Sequence, residues 1–224
     1  MTSESRSLVI FDCDGVLVDT EPTSSRVLAA AITEAGLAIT ADEVWEEFEA
    51  MRLADVQARV EERLGRPLGE SWLPAFEARR VAVFEEGLDS IPGVDDVLRG
   101  LRAAGRPICV ASQARQEKME LTLGLTGLRV YFGDEALFSS TLVERGKPFP
   151  DLFLHAAGAL GFEPADCVVV EDAVPGVRAA RAAGMRVFGY APEGTDDRLA
   201  AVGARVFGSM DELPELLART GHDW

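Results

Sequence analysis

Asp12 and Asp14, separated by a single residue, follow the apolar run Leu8-Val9-Ile10-Phe11 and precede Gly15. Branched and aromatic residues ending in carboxylates predict a buried strand that delivers acids to the carboxyl edge of a sheet, where open α/β folds keep their reacting groups. Carboxylates this close repel one another, and a hard cation relieves the repulsion. Three further places carry groups of matching chemistry. Ser112 ends Ile108-Cys109-Val110-Ala111, Lys147 lies in Gly146-Lys147-Pro148-Phe149-Pro150-Asp151, and Glu171-Asp172 closes Val168-Val169-Val170 ahead of a Pro175-Gly176 turn. Together these groups are what phosphoryl transfer through an aspartyl phosphate requires. Asp12 is the expected nucleophile. Asp14 is expected to protonate the leaving oxygen and then to activate water. Mg²⁺, held by Asp12, Asp172 and the carbonyl of Asp14, offsets the repulsion between nucleophile and phosphate. Ser112 and Lys147 hold the phosphoryl oxygens. Taken singly, each segment has a plainer reading: a turn, a surface Lys-Pro, an N-cap, a hydroxyl closing a strand.

These residues need a scaffold that brings strand ends together. From Pro22 to about Val83 the apolar spacing is helical throughout, with faces at Val27, Leu28, Ala31 and Ile32, at Val44, Phe48 and Met51, at Leu53, Val56, Val60 and Leu64, and at Phe76, Val83 and Phe84. After Pro92 the pattern alternates. Helices are expected near 94–104, 116–123, 151–160, 174–183 and 211–219, and strands at 108–111, 136–138, 167–170 and near Val187 and Val206. Such alternation predicts a parallel sheet with right-handed crossovers. The expected fold is therefore α/β, a Rossmann-like parallel-sheet core formed by residues 1–17 and 92–224, with an inserted all-helical cap at 18–91.

The 224 residues carry 38 acidic and 22 basic side chains, a net charge of −16. That balance argues against nucleic acid or an anionic membrane surface as a partner, so an anionic substrate must be held by local groups and a cation. The basic residues are nearly all arginine; the only lysines are Lys118 and Lys147. Cys13, Cys109 and Cys167 sit in or beside apolar runs with no Cys-x-x-Cys pair, which predicts buried free thiols and a reduced, cytoplasmic setting. The polar N-terminus and the acids that break the first apolar run predict neither a signal peptide nor a membrane span. His155 and His222 belong to no motif, and Trp45 and Trp72 are expected to pack.

The segment Phe11-Asp12-Cys13-Asp14-Gly15-Val16-Leu17-Val18-Asp19-Thr20-Glu21 resembles the opening motif of haloacid dehalogenase-superfamily phosphatases. Ser112, Lys147-Pro148-x-Pro150-Asp151 and Glu171-Asp172-x-x-x-Gly176 resemble the second, third and fourth motifs, in order along essentially the whole chain. The resemblance implies a Rossmann-like core whose helical insertion is a C1-type cap closing over a small phosphorylated metabolite. It implies Mg²⁺ as cofactor, with Asp12, Asp14 and Asp172 at the metal and Glu171 behind it orienting a water, and a monomer as the working state. Asp14 speaks against a true haloacid dehalogenase, and the lack of any lysine between Gly15 and Ser90 against a phosphonatase. β-Phosphoglucomutases share the cap and all four motifs, but Ser24 and Leu53 stand where those enzymes carry a histidine and an arginine. The implied function is a Mg²⁺-dependent phosphatase of small phosphosugars (hexose or pentose phosphates, or 6-phosphogluconate). A β-phosphoglucomutase-like mutase is the alternative, and a catalytically weak binding homologue the third. Arg52 on the cap loop and Gln113 after Ser112 are the expected substrate contacts. Ala50, Ala114 and Ala173 replace residues usual at their positions in the family.

Overall fold

The structure is a computed structural model that describes residues 7–48, 51–192 and 197–219. Ala50 and His222, singled out above, lie outside the described residues. The chain begins with β1 (Leu8–Phe11). Four helices follow: α1 (Glu21–Glu34), α2 (Ala41–Phe48), α3 (Leu53–Leu64) and α4 (Trp72–Glu86). The remainder alternates as α5 (Val94–Ala103), β2 (Ile108–Ser112), α6 (Gln116–Leu125), β3 (Leu137–Ser139), α7 (Asp151–Ala159), β4 (Cys167–Glu171), α8 (Val174–Ala182), β5 (Arg186–Tyr190), α9 (Asp197–Ala201), β6 (Arg205–Phe207) and α10 (Leu213–Ala218).

All six strands are parallel, in the order β3-β2-β1-β4-β5-β6. Every residue of β1, β2 and β4 is buried, as a sheet covered on both faces requires. The chain winds outward from β1 in one direction through β2 and β3. It then returns to the other side of β1 for β4, so the strand order reverses between β1 and β4. A crevice opens at such a reversal, outside the carboxyl ends of the strands. Phe11 pairs with Val110 on one side and Val170 on the other. That register sets Asp12 beside the last residues of β2 and β4.

Helices α1–α4 bury an apolar cluster of their own, built from Val27, Leu28, Ile32, Val44, Phe48, Val56, Val60 and Phe76, apart from the cluster around the sheet. The segments leading into and out of these helices lie side by side: Asp19 N donates to Asp89 O at 3.0 Å and Ile91 N to Leu17 O at 3.0 Å. Gly65 ends α3 in the left-handed conformation.

Most expected elements are present within one or two residues. Two differ. The last helix begins later than residue 211, because a Ser209–Glu212 capping box first closes a 3₁₀ turn at Met210–Glu212. The five-residue α9 was not anticipated, since one buried side chain, Leu199, gives too little periodicity to read. The three cysteines are free and buried, as expected. Among the described residues, no helix is long and apolar enough to cross a membrane.

Candidate active site

Strand β1 ends by handing the chain to a tight turn in which Asp12 N donates to Val170 O at 2.9 Å and Gly15 N to Val18 O at 2.9 Å. Gly15 has φ +74°, and a Cβ there would lie 2.0 Å from Asp172 Oδ2. Only glycine lets the turn pass this close to the acid delivered by β4. On the β4 side, Glu171 Oε2 accepts from the backbone N–H groups of Asp172 and Ala173, at 3.0 and 3.1 Å. A Cβ on Gly176 would fall 1.8 Å from Glu171 Oε1, so glycine in the first turn of α8 makes room for that carboxylate.

Lys147 reaches both acids from the loop before α7. Its Nζ donates to Asp12 Oδ1 at 2.5 Å and to Glu171 Oε1 at 2.6 Å, and it stands 5.1 Å from the centre of the Phe153 ring. Burial opposes its charge, but Asp12 and Glu171 outweigh burial and raise its pKa. Burial pushes the Asp12 carboxyl up to about 7, with Glu171 and Asp14 adding to the rise and Lys147 opposing it. Burial also pushes Asp172 well up, reinforced by Glu21, Glu171 and Asp12. Asp12, Glu171 and Asp172 offer carboxylate oxygens that all lie within 4.8 Å of one another. Two buried acids and a half-buried third, with a single ammonium among them, form an oxygen-rich, charge-deficient cluster suited to a hard divalent cation.

Asp14 has a different environment. Lys118 Nζ and Thr20 Oγ1 each donate to its Oδ1 at 2.5 Å. Burial pushes its carboxyl up, but the Lys118 charge, the two hydrogen bonds and the nearby Arg80 charge prevail, and the group sits below the usual carboxylate range. Its side chain is therefore committed to Lys118 and Thr20, and Glu171 stands with Asp12 and Asp172 in the carboxylate cluster. Asp12 and Asp14, separated by one residue, are thus driven in opposite directions by their surroundings.

Ser112 is buried at the end of β2, where its Oγ accepts from Ala114 N at 3.1 Å. Gln113 donates through Nε2 to Lys147 O at 3.2 Å, tying the second expected segment to the third. Arg52, just before α3, donates to Ser140 O at 3.1 Å and Glu144 O at 3.4 Å, backbone atoms some ninety residues away. The expected cap arginine therefore bridges the helices to the loop after β3. All the expected site residues line one cavity of about 310 Å³ between the strand ends and α1–α4. That is large enough for a small phosphorylated metabolite. Trp45 also lines it, while Trp72 packs on Phe76. His155 lies edge-on to Phe138 on α7.

Sequence reasoning missed Lys118, Thr20 and Arg80 as members of the site. Lys118 carried a signal, being one of two lysines and lying just inside the helix that follows Ser112. Arg80 carried another: it shares the buried face of α4 with Phe76 and Phe84, four residues to either side.

The haloacid dehalogenase-like hydrolase family matches residues 7–184. The 6-phosphogluconate phosphatase of Escherichia coli is 31% identical over 216 residues, 96% of each chain. A haloacid dehalogenase family hydrolase from Deinococcus radiodurans, solved with bound phosphate and sodium, is 34% identical with a TM-score of 0.77 and covers 97% of both chains. A candidate β-phosphoglucomutase from Thermotoga maritima is 26% identical with a TM-score of 0.76, over 96% of this chain and 99% of that one. The match to the family extends from the first strand through α8, the stretch that holds every acid and lysine lining the cavity, and the chain belongs to the haloacid dehalogenase-like hydrolases.

Proposed function

We propose that this phosphoric monoester hydrolase is a Mg²⁺-dependent phosphatase of small phosphosugars that works through an aspartyl phosphate, an acyl phosphate on Asp12. The observation that carries the reading is the contrast between the two aspartates: Asp12 is held by Lys147 in an acid cluster, and Asp14 is held charged by Lys118 and Thr20. Asp12 Oδ attacks phosphorus while the ester oxygen departs, and Asp14 gives that oxygen its proton. A water then attacks phosphorus with Asp14 taking its proton, which frees phosphate and restores Asp12. Asp14 is ionised without substrate; the arriving phosphate dianion adds negative charge beside it and favours the protonated form that the first step needs. Lys147 and Ser112 grip the phosphoryl oxygens. The carboxylates of Asp12, Asp172 and Glu171, with the Asp14 carbonyl, would hold Mg²⁺, which when bound neutralises phosphoryl charge and lowers the repulsion felt by the nucleophile. The helical segment serves as a cap, with Arg52 closing it against the core. Buried free thiols support a reduced, cytoplasmic setting, and the enzyme acts as a monomer.

The similarity to a 6-phosphogluconate phosphatase supports the phosphosugar class. Ala114 and Ala173 do not argue for a catalytically weak binding homologue, because each contributes its backbone N–H, to Ser112 and to Glu171. The mutase reading rests on the Thermotoga structure. Phosphate release with Mg²⁺ over a panel of phosphosugars, with product analysis on the glucose phosphates, decides among the three. Stoichiometric phosphate is the expected result; isomer interconversion without phosphate would establish a mutase, and no turnover with intact metal binding the binding homologue.

A further inference from the structure

Five cations line the cavity: Arg52, Arg80, Arg115, Lys118 and Lys147. Four have protein partners. Lys147 holds Asp12 and Glu171, Lys118 holds Asp14, Arg52 donates to two backbone carbonyls, and Arg115 lies 3.9 Å from Glu77. Arg80 differs. It is only 7% exposed, yet it forms no hydrogen bond or ion pair among the described residues, and its buried Nε has no partner. The guanidinium carbon sits 5.0 Å from the centre of the Phe76 ring one turn earlier on α4, which covers one face, and the residue lines the cavity. Neither nearby acid satisfies it: Asp14 is taken by Lys118 and Thr20, and Glu77 lies toward Arg115. A buried guanidinium on a cavity wall that feels nearby acids but is hydrogen-bonded by none of them can receive a further anion, and its planar fork matches a carboxylate in bidentate fashion.

The phosphate of the substrate is not that anion on the phosphatase reading, because Lys147 and Ser112 receive it at the strand ends while Arg80 stands on the cap side. A neutral sugar would cover Arg80 and leave its guanidinium donors without a carboxylate to bind. We infer that Arg80 is the receptor for a carboxylate on the alcohol portion of the substrate, so that the preferred substrates are phosphate esters of hydroxy acids, sugar acids among them, rather than of neutral sugars. Ser24 Oγ, one helical turn after Thr20 on α1 and also buried without a partner, is placed to accept or donate to a substrate hydroxyl in the same cavity.

The inference rests on the phosphatase reading, and the test separates the two. Initial rates with Mg²⁺ are measured on two matched pairs, 6-phosphogluconate against glucitol 6-phosphate and 3-phosphoglycerate against glycerol 3-phosphate. The members of each pair differ only in a carboxylate or a hydroxymethyl group. A simple aryl phosphate is assayed alongside. In the unaltered enzyme the expected kcat/KM favours the carboxylate ester of at least one pair by about 30-fold or more, the worth of a charged hydrogen-bonded contact. Gluconate should compete with substrate, and glucitol should not. In Arg80→Gln the ratio within that pair falls toward one, and in Arg80→Lys, which keeps the charge and the ring contact, it takes an intermediate value. Equal rates within both pairs, or turnover of the aryl phosphate alone, overturn the inference and leave the phosphatase reading standing. A drop in Arg80→Gln that is the same for both members of the pair assigns Arg80 to packing. No phosphate from any ester overturns both. Gluconate competition requires no variant and so remains decisive should Arg80→Gln fail to fold.

Discussion

Asp12→Asn keeps the shape of the nucleophile and removes its charge. Turnover should fall by about 10⁴-fold or more, measured as phosphate release with Mg²⁺, while the far-ultraviolet dichroism stays unchanged. Retained activity would sink the aspartyl-phosphate route. Lys118→Met acts on the other acid. With the neighbouring ammonium gone, the Asp14 carboxyl rises, and the step in which it must accept a proton from water fails at higher pH than before. The acid limb of the kcat profile should move upward in pH and turnover at neutral pH should fall roughly 10- to 100-fold. An unmoved profile would reduce Lys118 to packing. The acids at strand ends were readable because apolar strands announce where they stop. Lys118 and Arg80 were not, because they act by reaching across the fold, and Thr20, six residues from Asp14, is a hydroxyl whose contact its type alone does not announce. Lys118 and Asp14 are 104 positions apart, and no local pattern records that contact.

At the scale of elements, the turns hold the acids in place by close approach. In Gly176→Ala the new methyl overlaps the Glu171 carboxylate, which is wedged against Lys147 and two backbone donors and cannot retreat. A loss of about 2–4 kcal/mol in chemical denaturation, with weakened metal binding, is expected. Gly15→Ala adds an unfavourable positive φ to its own overlap and should be at least as harmful. The elements themselves were mostly legible. Fully apolar runs of five or fewer residues bounded by turn signals gave β1, β2 and β4, and four amphipathic stretches gave α1–α4. What resisted reading was short: α9, whose single buried residue leaves no period, and the start of α10, which a capping box rather than hydrophobicity decides. Strand order was not in the sequence either, since pairing of β1 with both β2 and β4 is a tertiary choice among equally apolar runs.

For the whole molecule, the buried acids link folding to pH and metal. Folded Asp12 keeps its proton up to about pH 7, whereas its ordinary value is 3.8. Between those values the folded chain binds more protons than the unfolded one, so stability falls as pH rises through the window; Asp172, also pushed up, adds in the same direction. Thermal melts in chelator should therefore show a lower Tm at pH 8 than at pH 5.5 once the remaining carboxylates are accounted for by an Asp12→Asn control. Mg²⁺ should raise Tm strongly at pH 8 and little at pH 5.5, because at the lower pH it must displace protons to bind. Equal magnesium stabilisation at both values would contradict the acid cluster as its seat. The paired backbone hydrogen bonds joining residues 17–19 to 89–91 reach further still. Since the chain leaves the sheet and returns to it at neighbouring points, the seventy or so residues between can lengthen, shorten or be exchanged without moving β1 relative to α5. The segment is thus exchangeable at a single seam, but not without cost to the site, since Thr20 and Arg80, which act on Asp14, would leave with it.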